Sequence, residues 1–173
     1  MRTIPHLILT ALTCTLLNAA AGGNSAADAE KLRTCIIDNA KKYLGARYNY
    51  GGMSTKGFDC SGFVQYVYRE CGIKLPRSTV GQFEQGKKID LADAKPGDLV
   101  FFRIYNDRIS HVGIFMNGSV FIHAPSSGKR VSFADMNLEY WKKTFAGVVT
   151  YIDAGKPSIP DAMKDHRSGK STH

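Results

Sequence analysis

No apolar run in this 173-residue chain is long enough to span a membrane as a helix. Cysteine occurs only four times, and never as the close Cys-x-x-Cys pair of a structural zinc site. There is no internal repeat, which excludes a repeat architecture. No nucleic-acid-binding motif is present, and the basic residues are scattered rather than gathered into one stripe. Acidic residues are the scarcer charge, 15 against 23 Lys and Arg, giving a net charge of +8. Such a balance suits an anionic partner or simply keeps the chain soluble.

The length allows one domain with a proper core rather than two. The amino terminus reads as an export segment: Arg2 supplies the positive start, Leu7 to Leu17 the apolar stretch, and Ala19-Ala20-Ala21 a small-residue cleavage site. Cleavage after Ala21 is expected, with the Ala26-Ala27 region as the alternative. Its loss would remove one charge, Arg2, and leave the remainder strongly basic. Lipid anchoring through Cys14 is the less favoured alternative, because Ala11-Leu12-Thr13 fits poorly with the small residue expected before a lipidated cysteine. Residues 22–29 read as a small, polar linker, residues 30–152 as the folded domain, and residues 153–173, rich in Gly, Pro, Ser and charge, as a weakly ordered tail.

Within the domain, Leu32, Cys35, Ile36, Ala40, Tyr43 and Leu44 recur at helical spacing, and Gly45 is a natural stop. Gly51 through Gly57 reads as a loop. Asp59 can cap a second helix from about Cys60 to Cys71, which Gly72 ends, with Cys60, Val64, Val67 and Cys71 on its apolar face. A short helix is expected around Val80–Gln85. The pattern then changes to strands over Asp98–Arg103, His111–Met116, Val120–Ala124 and Val148–Ile152, with turn signals at Pro96-Gly97 and Asn117-Gly118. Helices followed by an antiparallel sheet imply an α+β domain.

Chemistry points to Cys60. A helix amino terminus stabilises anions, so a cysteine there is expected to have a lowered pKa and to be partly thiolate, and the same amides can hold an oxyanion. The alternative is a buried structural thiol. Two histidines favour the first reading. His111 opens one strand and His123 lies near the end of the next; a thiol nucleophile needs an imidazole as base, and the imidazole needs a third group to orient it. Strand parity makes this testable. A three-residue loop, Met116-Asn117-Gly118, would pair Phe115 with Ser119, put a bulge at Gly118 and set His111 opposite His123. A plain two-residue hairpin would send the two rings to opposite faces. Zinc is the rival use of Cys60, His111 and His123, but no acidic fourth ligand is evident. Cys60 and Cys71 stand about 16 Å apart along a helix, too far to pair. Cys35 and Cys71 face inward on two helices that should pack, either as a disulfide or as two free thiols.

The residues also resemble a family. Tyr48-Asn49-Tyr50-Gly51-Gly52, Gly57-Phe58-Asp59-Cys60-Ser61-Gly62-Phe63 and Leu75-Pro76-Arg77-Ser78 are followed by Pro96-Gly97-Asp98-Leu99-Val100-Phe101-Phe102, Ser110-His111-Val112-Gly113-Ile114 and Phe121-Ile122-His123-Ala124. This ordered set over roughly residues 30–150 resembles the NlpC-type cell-wall cysteine peptidases. Tyr140-Trp141-Lys142-Lys143 is similar to their Spr-type murein endopeptidase branch. The resemblance implies a papain-like α+β fold, a Cys-His-His triad at Cys60, His111 and His123, and no metal or organic cofactor. It implies oxyanion or substrate contacts for Tyr48, Asp59, Ser61, Arg77 and Ser78. On simpler terms, Asp59 is a helix cap and Tyr48 a core aromatic. The implied substrate is the peptidoglycan stem peptide, cut between D-Ala and diaminopimelate across a cross-link or between γ-D-Glu and diaminopimelate within a stem. The implied setting is the periplasm or cell envelope. No nucleic-acid partner and no transmembrane span in the mature chain are expected, and the sequence leaves the oligomeric state open, with a monomer expected. The alternatives are a non-catalytic wall-binding module and an amidase toxin acting on rival bacteria.

Overall fold

The computed structural model describes residues 20–105, 107–126 and 130–152. Cys14, most of the expected export segment and the tail 153–173 lie outside the described residues. Among the described residues, no helix is long and apolar enough to cross a membrane.

Helix α1 (Ala20–Lys42) is longer than its periodic pattern indicates. Residues 22–29, expected as a linker, form its first turns. Ala26, Ala27 and Ala29 have the best helix propensity of any residue type and outweigh the neighbouring glycines. The inward side carries Leu32, Ile36 and Ala40, all buried at i, i+4 and i+8. The expected Gly51–Gly57 loop contains a two-rung ladder of β1 (Met53–Ser54) and β2 (Gly57–Phe58). Helix α2 (Cys60–Glu70) begins at the expected residue, with Asp59 as N-cap accepting from the Gly62 amide at 2.7 Å. Helix α3 (Thr79–Gln85) is capped by Ser78, whose hydroxyl accepts from the Gly81 amide at 3.1 Å.

The remaining strands are β3 (Lys87–Ile89), β4 (Leu99–Phe102), β5 (His111–Asn117), β6 (Val120–His123), β7 (Ser132–Asp135) and β8 (Phe145–Thr150), with helix α4 (Glu139–Thr144) just before β8. They form one six-stranded antiparallel sheet in the order β3-β8-β4-β5-β6-β7. Alternation sorts its side chains into two cores. Leu99, Phe101, Val112, Ile114 and Ile122 pack with Val64 and Val67 of α2 and Ile36 of α1. On the other face, Val100, Phe102, Phe115 and Phe121 pack with Met136 and Trp141. The domain is therefore α+β, with helices laid on an antiparallel sheet.

Two links tie α1 to the rest. Cys35 and Cys71 form a disulfide that joins α1 to the end of α2, with Cα atoms 6.0 Å apart. Arg33, 8% exposed, pairs with the fully buried Asp98 at 3.0 Å and donates to the Pro96 carbonyl at 2.8 Å. The Asp98 carboxylate also accepts from the Lys95 amide at 2.8 Å, so the buried charge is well bonded at the entry to β4.

The β5–β6 hairpin reaches the expected parity by another route. Asn117 pairs with Val120, so the turn has two residues, Gly118 and Ser119. Gly118 has φ +56°, as the first central position of a primed turn requires. The ladder then shifts: Phe115 pairs with Phe121 and Ile114 with Ile122, leaving Met116 as the extra residue of a bulge. The bulge is thus at Met116 rather than Gly118, and Phe115 does not pair with Ser119. Continued inward, the register sets His123 across from Gly113, with His111 diagonal to it on the same face.

Candidate active site

The start of α2 is held by its own sequence. The Asp59 carboxylate caps the helix and receives two Arg77 nitrogens, at 3.1 and 2.5 Å. Ser61 donates to Asp59 at 3.3 Å and accepts from Arg77 at 2.8 Å. The pair is partly screened, with side-chain exposures of 38% for Arg77 and 12% for Asp59. Below it, the buried Gln82 donates from its amide nitrogen to the carbonyls of Ser61 and Pro76 at 3.0 and 2.9 Å. The glycine at 62 is required by close packing: a Cβ there would sit 2.1 Å from the Gly52 carbonyl oxygen, the same oxygen that accepts from the Asp59 amide. The Gly51-Gly52 loop is thereby pressed onto the first turn of α2. Tyr48 bridges to Phe58 beside it and lines the same cleft.

Cys60 is the free cysteine among the described residues. Its sulfur lies 3.9 Å from the Thr79 hydroxyl and 4.0 Å from the Ser110 carbonyl. The amides of Ser61 and Val112 also favour its thiolate. The sulfur therefore touches both chain neighbours of His111 at the mouth of β5. At rest it faces the Ser110 carbonyl, while the His111 ring forms another wall of the same cleft. The expected lowered pKa is not what the resting site has. Burial pushes the Cys60 thiol up, the Thr79 hydroxyl draws it back in part, and the Asp59 carboxylate adds to the rise. A helix terminus contributes about 1 kcal/mol or less at an ordinary site, less than the cost of taking a thiolate out of water.

His111 and His123 are 5% and 4% exposed. His111 Nε2 and His123 Nδ1 are hydrogen-bonded at 2.7 Å, with the rings nearly perpendicular. Burial first, and the neighbouring His123 second, hold the His111 pKa down to about 3, so the ring is neutral at rest. Trp141 of α4 stacks on His111 at 27° and meets His123 edge to face, sealing the pair on the side away from α2. Burial, then the nearby Cys60 and Asp59, raise the Tyr48 phenol, which leaves it a protonated donor.

A cleft of about 680 Å³ brings Tyr48, Asp59, Cys60, Ser61, Arg77, Ser78 and His111 together. His123 lies in an adjoining lobe that shares His111 as a wall. Sequence reasoning missed Thr79, Ser110, Tyr105 and Gln82. Ser110 could have been suspected from its place beside His111. Its hydroxyl accepts from the Ile104 and Tyr105 amides at 2.8 and 3.1 Å and so shapes the wall of the cleft. Thr79 and Gln82 carry no local signal, because only the fold of α3 against α2 brings them in. Among the described residues, no three His, Cys, Asp or Glu side chains converge as metal ligands would.

Known proteins share both the sequence and the fold. The chain is 43% identical over 115 residues to the murein DD-endopeptidase MepS/murein LD-carboxypeptidase of Escherichia coli (strain K12), a match covering 66% of this chain and 60% of that protein. It is 40% identical over 126 residues to the gamma-DL-glutamyl hydrolase of Bacillus subtilis (strain 168), covering 71% of this chain and 30% of that one. The chain thus spans about three fifths or less of the length of these relatives. Among solved structures, it is similar to a lipoprotein-like NLP/P60 protein of Staphylococcus aureus, with TM-score 0.66, 36% identity, and 72% and 42% of the two chains covered. It is likewise similar to the NlpC/p60 domain of the peptidoglycan hydrolase SagA, with TM-score 0.60, 35% identity, and 68% and 97% covered. Residues 45–150, holding the Asp59-capped helix that starts at Cys60 and both strand histidines, match the NlpC/P60 family, and the chain belongs to it.

Proposed function

We propose that this protein is an exported cysteine peptidase of the bacterial cell envelope, hydrolysing an amide bond in peptidoglycan stem peptides with Cys60, His111 and His123. The observation that carries the reading is the 2.7 Å bond between two buried imidazoles, the first of which lines one cleft with the free cysteine at the start of α2. A wall-binding module would need none of these three residues.

With Nε2 of His111 engaged by His123, Nδ1 is the ring atom left for the sulfur. In the reaction, Cys60 turns from the Ser110 carbonyl, passes its proton to His111 Nδ1, and attacks the scissile carbonyl. His111 Nε2–H donates to His123 Nδ1 and fixes the tautomer, and that bond strengthens as the imidazolium forms. The developing oxyanion is held by the amides at the start of α2 and by the protonated Tyr48 phenol. As the C–N bond breaks, Nδ1 returns the proton to the departing amine. Water, deprotonated by the same nitrogen, then releases the acyl group and restores the thiol. Asp59, Arg77 and Ser61 support the start of α2, Ser78 caps α3, and all four border the acyl-side cleft.

The D-Ala–diaminopimelate cross-link is the leading bond, supported by the 43% relative named as a murein DD-endopeptidase. The γ-D-Glu–diaminopimelate bond is the second reading, favoured by the 40% relative named as a gamma-DL-glutamyl hydrolase. Digestion of purified sacculi, with mass analysis of released fragments, tests both. Loss of cross-linked dimers supports the first, release of dipeptide-truncated stems supports the second, and an unchanged fragment pattern contradicts the enzymatic reading.

A further inference from the structure

Acyl transfer at Cys60 has a direction. The acyl half of the substrate becomes bonded to sulfur, so it must occupy the space that contains the sulfur. The amine half leaves with the proton held by the imidazole, so it must border His111 without needing Cys60. Two adjoining spaces meet these conditions. The cleft of about 680 Å³ contains Cys60 and Tyr48 but not His123. The lobe of about 460 Å³ contains His111 and His123 but not Cys60. Ile104, Tyr105, His111 and Ser126 wall both.

Resting on the proposed reaction, we infer that this second lobe is the amine-side subsite and takes the long aliphatic chain of the diaminopimelate residue. Both candidate bonds have a diaminopimelate nitrogen as leaving group, so the occupant is the same whichever is cut. The lining matches that chain. Trp141 forms its inner wall, while Tyr105, Phe133, Leu138 and Tyr140 ring it, each between 48% and 59% exposed. Four large side chains left in water around one concavity form a patch of the kind that a ligand covers, unlike single surface hydrophobics. The described lining includes no Asp, Glu, Lys or Arg. The end of the diamino acid that carries the departing nitrogen therefore lies at His111, its methylene groups lie against the rings, and its far, charged end stays at the open mouth. His111 Nδ1 gives its proton to the departing nitrogen as the C–N bond breaks, and the free amine exits through this lobe.

The chain's single tryptophan, Trp141, stands in the wall and reports on it. Trp141 emission of the Cys60→Ala protein is titrated with meso-diaminopimelate. A saturable change is expected, weakened about tenfold in a Cys60→Ala, Leu138→Asp protein, roughly what returning one or two methylene groups to water costs in affinity. In the otherwise native enzyme, Leu138→Asp and, from another element, Phe133→Ser should raise KM for a cross-linked dimer more than they lower kcat. Both side chains are exposed, so these variants should keep the native melting transition. No emission change, together with unaltered KM in variants that still hydrolyse the dimer, would overturn the inference. Absence of hydrolysis by the native protein would instead strike the proposed reaction, while the binding titration still reads the lobe.

Discussion

His111 and His123 share a 2.7 Å hydrogen bond although the sheet does not set them face to face. The bulge at Met116 restores the parity that a two-residue turn would spoil, and a diagonal step between β5 and β6 does the rest. If the bond orients the base, the two histidines are unequal. His111→Ala should cost about 10³-fold or more in kcat/KM on cross-linked muropeptides, and His123→Ala about 10²-fold. His123→Gln, which keeps an acceptor for Nε2–H, should recover part of that loss. Steady-state kinetics on purified dimers decides it.

Acid should weaken the fold partly through His111. Its folded pKa, about 3, lies below the ordinary value of 6.5, so the unfolded chain binds a proton more readily. The associated stability is fully present above the unfolded value and is lost as pH falls from about 6.5 through 3. Urea melts across this window should show a smaller acid-side loss for His111→Asn than for the native protein.

The Cys60 thiol should titrate on the high side of an ordinary cysteine, because burial outweighs the helix terminus. Alkylation by iodoacetamide, followed against pH, should show its inflection there. Thr79→Val, which removes the nearby hydroxyl, should move it higher still, and Thr79→Ser should leave it near the native position.

Asp59 both caps α2 and holds Arg77. Asp59→Ala should destabilise the protein by about 1–2 kcal/mol, a typical cap loss. Asp59→Asn keeps a capping oxygen and should cost less. Denaturant unfolding measures the difference.

Reduction should loosen the domain without touching Cys60. The Cys35–Cys71 link closes a 36-residue separation, and the chain-entropy model assigns such a loop about 3–4 kcal/mol. Cys35→Ser with Cys71→Ser should lower Tm, and peptide mapping without reductant should find Cys60 unpaired.

Much of this was legible along the chain. The α2 start at Cys60, the Asp59 cap and the facing of Cys35 and Cys71 follow from local chemistry and alternation, whereas the shared face of the two histidines depends on the bulge at Met116. Of the missed strands, β3 (Lys-Lys-Ile) and β7 (Ser-Phe-Ala-Asp) are edges of the six-stranded sheet, half exposed and without an apolar signature, and β1 and β2 have only two residues each. Helix α4 has six residues and no buried one, so no periodic face announces it. The bulge position could not be read, because Gly118 suits both a two-residue and a three-residue turn. Thr79, Gln82 and the Arg33–Asp98 pair depend on packing between distant segments that no local pattern encodes.

The most direct test of the mechanism is to trap its intermediate. Native protein mixed with cross-linked muropeptide, quenched in acid and weighed intact, should carry the mass of the acyl fragment as a thioester, mapping to Cys60 and absent from Cys60→Ala. Hydrolysis at the native rate by Cys60→Ala, with no acyl adduct on the native chain, would contradict it.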